Sequence, residues 1–178
     1  EKVEVDHAAL YSGFSNVIGS TGTDFTVIQF NTAQSGLLTR EAVGQIHVVL
    51  HPQQLLDLQA GSGNTPGGIL TALTAGSNYY ANPDADLDIM NLQNLAGFQG
   101  TLLGIGLFVT TAVATANAGA DRAGAMFVSD ALGRAVGWMP RTEYDRDIDM
   151  PGTQVVASAE YGVIEIRDAW GASIITDA

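Results

Sequence analysis

The sequence predicts an α+β fold. Helix-like and strand-like patterns alternate irregularly along the chain, with no recurring βαβ unit and no internal repeat. The closing stretch, 152–178, is rich in aliphatic and β-branched residues at period two. Aliphatic patterning persists through the whole length, which excludes disorder. A chain of 178 residues suits one domain, or two lobes sharing one core.

The elements follow in order. Val3, His7, Leu10 and Tyr11 stand at helical spacing, so Val3–Tyr11 is expected to be helical, the tail of a helix begun upstream. Ser12–Gly22 is rich in Ser and Gly and reads as a loop. Thr23 or Asp24 caps a second helix running to about Ala42, with Phe25, Ile28, Ala33 and Leu37 near one face and Gly44 as its stop. Gln45–His51 alternates as a half-buried strand does. Pro52 opens a short helix through Leu58, at the first turn, where its missing N–H is harmless.

Gly61–Gly68 reads as a flexible loop, and Ile69–Ala75 and Asp86–Leu95 as helical fragments. Gly100–Thr111 is expected to be one strand, followed by an Ala/Gly-rich loop at Ala112–Gly124. Ala125–Ser129 and Arg134–Met139 read as a strand pair joined by the turn DALG. Arg141–Pro151 is a charged connection into the final strands. There the alternating face changes at Tyr161-Gly162-Val163, which places a bulge or bend at the glycine of a core-packing strand. Trp138 and Trp170, each in an apolar strand-like setting, are expected to anchor the core.

Composition narrows the function. Hydrophobic residues make up 46% and charged residues 15% of the chain, against about 25% charged in an average protein. An aliphatic surplus in a chain of this size is expected to be buried against other subunits. The formal charge is −12, and Lys2 is the only lysine. Gripping nucleic acid needs clustered Lys and Arg, so that class is excluded. Enclosing DNA without holding it is not, because an acidic lining lets a polyanion slide. The absence of cysteine excludes disulfides, thiolate metal sites and cysteine nucleophiles. The longest apolar run, Leu102–Val113, is too short to span a bilayer.

No motif carries catalysis or a cofactor. The glycines of Gly61–Gly67 follow a helix, not a strand, and lack GK[ST]. Two aspartate ladders, Asn82–Asp88 and Asp145–Asp149, space oxygens as calcium loops do. Counted from their first residues, the sixth and twelfth positions hold Leu87 and Gln93, and Met150 and Val156, where an EF-hand needs Gly and Glu. His47 and His51 on a strand stand roughly 13 Å apart, too far to share a zinc, and read as packing or edge residues. No GxSxG appears and no triad can be assembled. Catalytic, cofactor and metal sites are therefore all expected to be none.

Several segments carry a family resemblance in chain order. They are DHAALYSGFSNVIGSTGTDFT (Asp6–Thr26), HVVLHP with Leu55, Leu56 and Asp57 after it, FQGTLLGIGLFV (Phe98–Val109), AMFVSDALG (Ala125–Gly133) and AEYGVIEIRDAWGASIITDA (Ala159–Ala178). Together they resemble the C-terminal part of tailed-bacteriophage major capsid proteins, which share the Hong Kong ninety-seven capsid fold with the bacterial encapsulins. In such proteins an N-terminal arm, an extended loop and most of a spine helix precede this part.

The resemblance implies a structural subunit, not an enzyme. It implies a peripheral lobe with the end of the spine helix from residues 1–43 and 150–178, and an axial lobe from residues 44–149. It implies self-assembly into hexamers and pentamers of an icosahedral shell, enclosing double-stranded DNA without sequence-specific contact or a membrane. Scaffolding, portal and decoration proteins are the further partners it implies. The shell would form in the host cytoplasm. Arg141, Arg146 and Arg167, scarce cations in an acidic chain, are the candidate inter-subunit contacts, each expected to find a carboxylate within or across subunits. An encapsulin-like nanocompartment and a small α+β enzyme are the competing classes.

Overall fold

The computed structural model describes residues 2–60, 98–147 and 152–177. The expected loop at Gly61–Gly68, the helical fragments at Ile69–Ala75 and Asp86–Leu95, the first aspartate ladder and the end of the second lie outside the described residues.

Helix α1 (Lys2–Ala9) runs into a 3-10 turn at Leu10–Gly13 and then strand β1 (Val17–Ile18), inside the stretch expected to be loop. Helix α2 (Val27–Thr39) starts later than expected. The Thr23 hydroxyl instead donates to Ser20 O at 2.6 Å and closes a turn. Thr26 is the true cap: its Oγ1 accepts from Gln29 N–H at 3.3 Å, and Gln29 Oε1 accepts from Thr26 N–H at 2.8 Å, a reciprocal capping box.

The far end of α2 also differs. Glu41 N–H donates to Leu38 O and Ala42 N–H donates to Leu37 O, with Glu41 at φ 55°. This is a Schellman stop with glutamate in the seat usually held by glycine, three residues ahead of Gly44. Phe30, Ala33 and Leu37 form the buried face of the helix, with Phe25 just before it, whereas Ile28 is 71% exposed. Phe30, not Ile28, continues the i, i+3, i+7 stripe through Ala33 and Leu37.

Strand β2 (Ile46–Leu50) and helix α3 (Pro52–Ala60) form where expected. β2 is not half-buried, however. It lies between two neighbours, and Val48, Val49 and Leu50 are all buried. The expected single strand at Gly100–Thr111 is two, β3 (Phe98–Leu102) and β4 (Ile105–Val109), paired antiparallel. Leu103 (φ 53°) and Gly104 (φ 78°) make the two-residue turn between them. Hairpin turns with positive φ at both centres favour Asn-Gly, so Leu-Gly gives little signal in the sequence.

The expected loop at Ala112–Gly124 contains β5 (Ala114–Ala116) and the start of β6 (Asp121–Val128). Ala125–Ser129 and Arg134–Met139 do not pair with each other. β6 pairs with β2 and with β9 (Gly171–Asp177), while β7 (Leu132–Asp147) pairs with β8 (Gly152–Glu165). A 3-10 turn, Ser129–Ala131, overlaps the start of DALG and hands the chain from one sheet to the other. The charged residues Arg141–Asp147 are strand, not connection.

The main sheet runs β1-β9-β6-β2-β4-β3, with β5 beside β6. It crosses the expected division between residues 44–149 and the remainder, since β9 hydrogen-bonds with β6. One face buries Val48, Leu50, Met126, Val128 and Ile174 against Phe30, Ala33 and Leu37 of α2. The opposite face buries Val49 and Ala125 against Ala8, Tyr11 and Phe14. Trp170 is half-buried and touches both clusters, so it anchors as expected. Gln54 of α3 is fully buried. Its Nε2 lies 2.8 Å from Thr176 Oγ1 and 3.1 Å from Arg122 O, and its Oε1 accepts from His51 N–H at 3.0 Å.

Candidate assembly surface

β7 and β8 form a ribbon of their own, paired from Leu132↔Glu165 to Asp147↔Gly152. Strands usually have about 3–10 residues; β7 has 16 and β8 has 14. An isolated two-stranded ribbon is marginal in water, and a long apolar one invites pairing with other chains.

Beyond its root this ribbon leaves large apolar side chains uncovered. Met139 is 75% exposed, Tyr144 72%, Val155 56% and Trp138 45%, and Val136, Val156 and Ile164 are exposed as well. Two expectations are thereby corrected. Trp138 is not a core anchor, and β8 does not pack a core, because successive residues 152–157, which point to opposite faces, are all exposed. The bulge expected at Gly162 also moves. Gly162 pairs regularly with Ala135, and the register shifts lie in β7, on either side of Trp138.

The root of the ribbon is well tied. Ala131 O accepts from Ile166 N–H at 2.8 Å and from Arg167 N–H at 3.2 Å. Tyr161 Oη donates to Asp6 Oδ2 of α1 at 2.5 Å, which pushes the phenol pKa up. Asp168 Oδ1 accepts from Ser15 N–H at 2.6 Å, and that bond holds its carboxyl below the usual range. Between α1 and the ribbon lies a cleft of about 170 Å³, lined by Val3, Val136, Trp138, Met139, Pro140 and Tyr161 among others.

The three candidate arginines all lie on or beside this ribbon, and all are exposed. Arg141 Nη2 sits 3.2 Å from Glu143 Oε1, and its guanidinium lies 5.3 Å from the Trp138 ring centre. Arg167 lies 4.1 Å from the Trp170 ring centre, an aromatic partner within the chain. Arg146, opposite Thr153 on the distal half, has no ion pair among the described residues. The sequence singled out these cations by their scarcity, but it missed the ribbon carrying them. Charge on both exposed faces had made β7 look like a connection.

His47 is half-buried, with Nε2 3.1 Å from Ser129 Oγ and its ring edge-on to Phe108; burial lowers its pKa. His51 Nδ1 accepts from Gln53 N–H at 3.3 Å. Both serve packing and local hydrogen bonding. Among the described residues no cluster of His, Asp and Glu has the geometry of a metal site, and no helix is long and apolar enough to cross a membrane.

No protein-family model and no curated protein sequence matches the chain. Solved structures do match. A structure from Mycobacterium phage Che8 is similar over 97% of this chain and 57% of its own, with TM-score 0.68 and 16% identity. The capsid of cyanophage P-SCSP1u is similar over 98% of this chain and 60% of its own, with TM-score 0.58 and 13% identity. A virus-like particle from Pyrococcus furiosus is similar over 97% and 63%, with TM-score 0.53 and 10% identity. The fold is therefore the α+β fold of phage capsid structures, the one the sequence resemblance implied. The chain spans less than two thirds of the length of each of these three.

Proposed function

We propose that this chain is a structural subunit of an icosahedral phage capsid, assembling into hexamers and pentamers around double-stranded DNA. The observation that carries this reading is the uncovered apolar ribbon on a chain whose fold is that of capsid structures. A surface of that kind on a soluble protein marks an interaction site. Residues 44–149 are proposed as the axial lobe, and residues 1–43 with 150–178 as the peripheral lobe. The acidic balance favours an enclosed genome that is not gripped. Arg141, Arg146 and Arg167 are proposed contacts between subunits. Scaffolding, portal and decoration proteins are proposed partners, the virion shell the proposed location, and the host cytoplasm the proposed site of assembly.

Sedimentation and electron microscopy of the purified chain test the reading. Capsomer-sized rings or closed particles are expected. A monomer at every concentration would overturn it. Particles filled with protein in place of DNA would favour an encapsulin-like compartment.

A further inference from the structure

The two free edges of the ribbon are chemically unlike. β7 is interrupted: register shifts flank Trp138, Pro140 has no N–H to offer, and Arg141, Glu143, Asp145 and Arg146 crowd its distal half. Bulges, proline and charge are the devices that block strand addition. β8 has none of them over residues 153–158, TQVVAS. That run holds no proline and no charge, and its described register with β7 is unbroken from Gly152 to Ser158. Residues 152–157 are all exposed.

The other open edges described are short. β1 has 2 residues, β5 has 3, and β3 has 5 with a register shift at its start. β8 thus presents the longest uninterrupted row of unpaired backbone groups among the described residues.

We propose that the outer edge of β8 pairs with the same edge of a second copy, antiparallel about a two-fold axis. This deepens the shell-subunit reading and rests on it. With β7 blocked on each copy, β8 is the one long open edge among the described residues, so edge-to-edge pairing of those residues brings β8 to β8. An isologous pair of this kind closes both edges at once. Charge agrees. Between Gly152 and Ile164 the only charged residue is Glu160, just beyond the run. Antiparallel overlap over 153–158 sends the two Glu160 side chains to opposite ends of the pairing, so no like charges face each other.

The chain has no cysteine, so single cysteines report on this geometry without background. Each residue from Thr153 to Ala159 is replaced in turn by Cys, with Thr142→Cys, opposite Ala157 on β7, as the control. The assembled protein is oxidised mildly and run on a non-reducing gel. Disulfides need Cβ atoms within about 3.5–4.5 Å, so a self-paired strand cross-links to itself only at the axis. A covalent dimer peaking at one or two adjacent β8 positions, about tenfold above Thr142→Cys, is expected. Assemblies in which no β8 position exceeds the control would overturn the pairing and leave the shell reading standing. A chain that stays monomeric would overturn both.

Discussion

Gly171 offers a sharp test of how the fold holds the ribbon's root. Its φ is −128°, ordinary extended backbone, so a side chain there meets no conformational penalty and the effect is purely steric. A Cβ added at this position would lie 2.1 Å from Phe14 Cε1 and 2.3 Å from both Cδ1 and Cζ. Carbon atoms settle at about 3.5–4.0 Å, so the ring must retreat by more than about 1 Å. Phe14 is fully buried and stacks on Phe127 with centroids 6.3 Å apart, which leaves no open side to retreat into. Overpacking of this kind costs about 1–3 kcal/mol, and a lost aromatic contact adds about 0.5–1.5 kcal/mol. Gly171→Ala is therefore expected to destabilise by about 2–4 kcal/mol, read as a lower denaturant midpoint at fixed protein concentration and unchanged m-value. Phe14→Leu in the same background removes the Cε1 and Cζ contacts, so the double variant should cost less than the sum of the singles. A Gly171→Ala variant within about 0.5 kcal/mol of the parent, or strict additivity with Phe14→Leu, would refute the packing described.

Three further outcomes are expected. Glu41→Gly should stabilise by about 0.5–1 kcal/mol, because Glu41 holds a left-handed seat that only glycine takes without strain; thermal melting checks it. Burial lowers the pKa of His47, so the unfolded chain takes up a proton first as pH falls below about 6.5. Stability should then decline from pH 7 toward pH 5, and His47→Asn should flatten part of that decline in denaturation curves taken across the range. Arg146→Glu should leave circular dichroism and melting unchanged while reducing assembly seen by sedimentation, since Arg146 has no ion pair among the described residues and lies on the exposed ribbon.

What was legible in the sequence was what local chemistry decides. Pro52 marked the start of α3 because its ring suits a first turn, and Ile46–Leu50 was strand because β-branched residues cluster there. The Thr26–Gln29 box was present but masked by Thr23 and Asp24, equally good caps three and two residues earlier. The turn at Leu103-Gly104 was hidden because leucine is not a turn residue. The ribbon was hidden for a different reason. A strand with both faces uncovered is under no pressure to alternate, so β7 carries Arg-Thr-Glu-Tyr-Asp-Arg-Asp and reads as loop. Long-range pairing decides such a strand, and composition does not report it.

The ribbon's energetics explain why a root so firmly tied supports a span so open. Ala131, Asp6 and Ser15 hold its base through the hydrogen bonds of Ile166, Tyr161 and Asp168. Toward the far end Met139, Tyr144, Val155 and Val156 stand exposed. Fully burying one exposed large apolar side chain stabilises by about 1.5–3 kcal/mol, so these four, already partly covered, together contribute about 4–7 kcal/mol. Bringing two chains together costs about 4–15 kcal/mol in lost freedom before any gain is counted. One ribbon contact is thus close to balanced by itself. A subunit fixed by several such contacts at once is held by their sum, because each later contact forms within an assembly already in place. Weak single contacts let a misplaced subunit leave, and a completed ring keeps it. The chain therefore gains more from a rigid base and a moderately apolar ribbon than from one large sticky patch, which would trap the first pair that met.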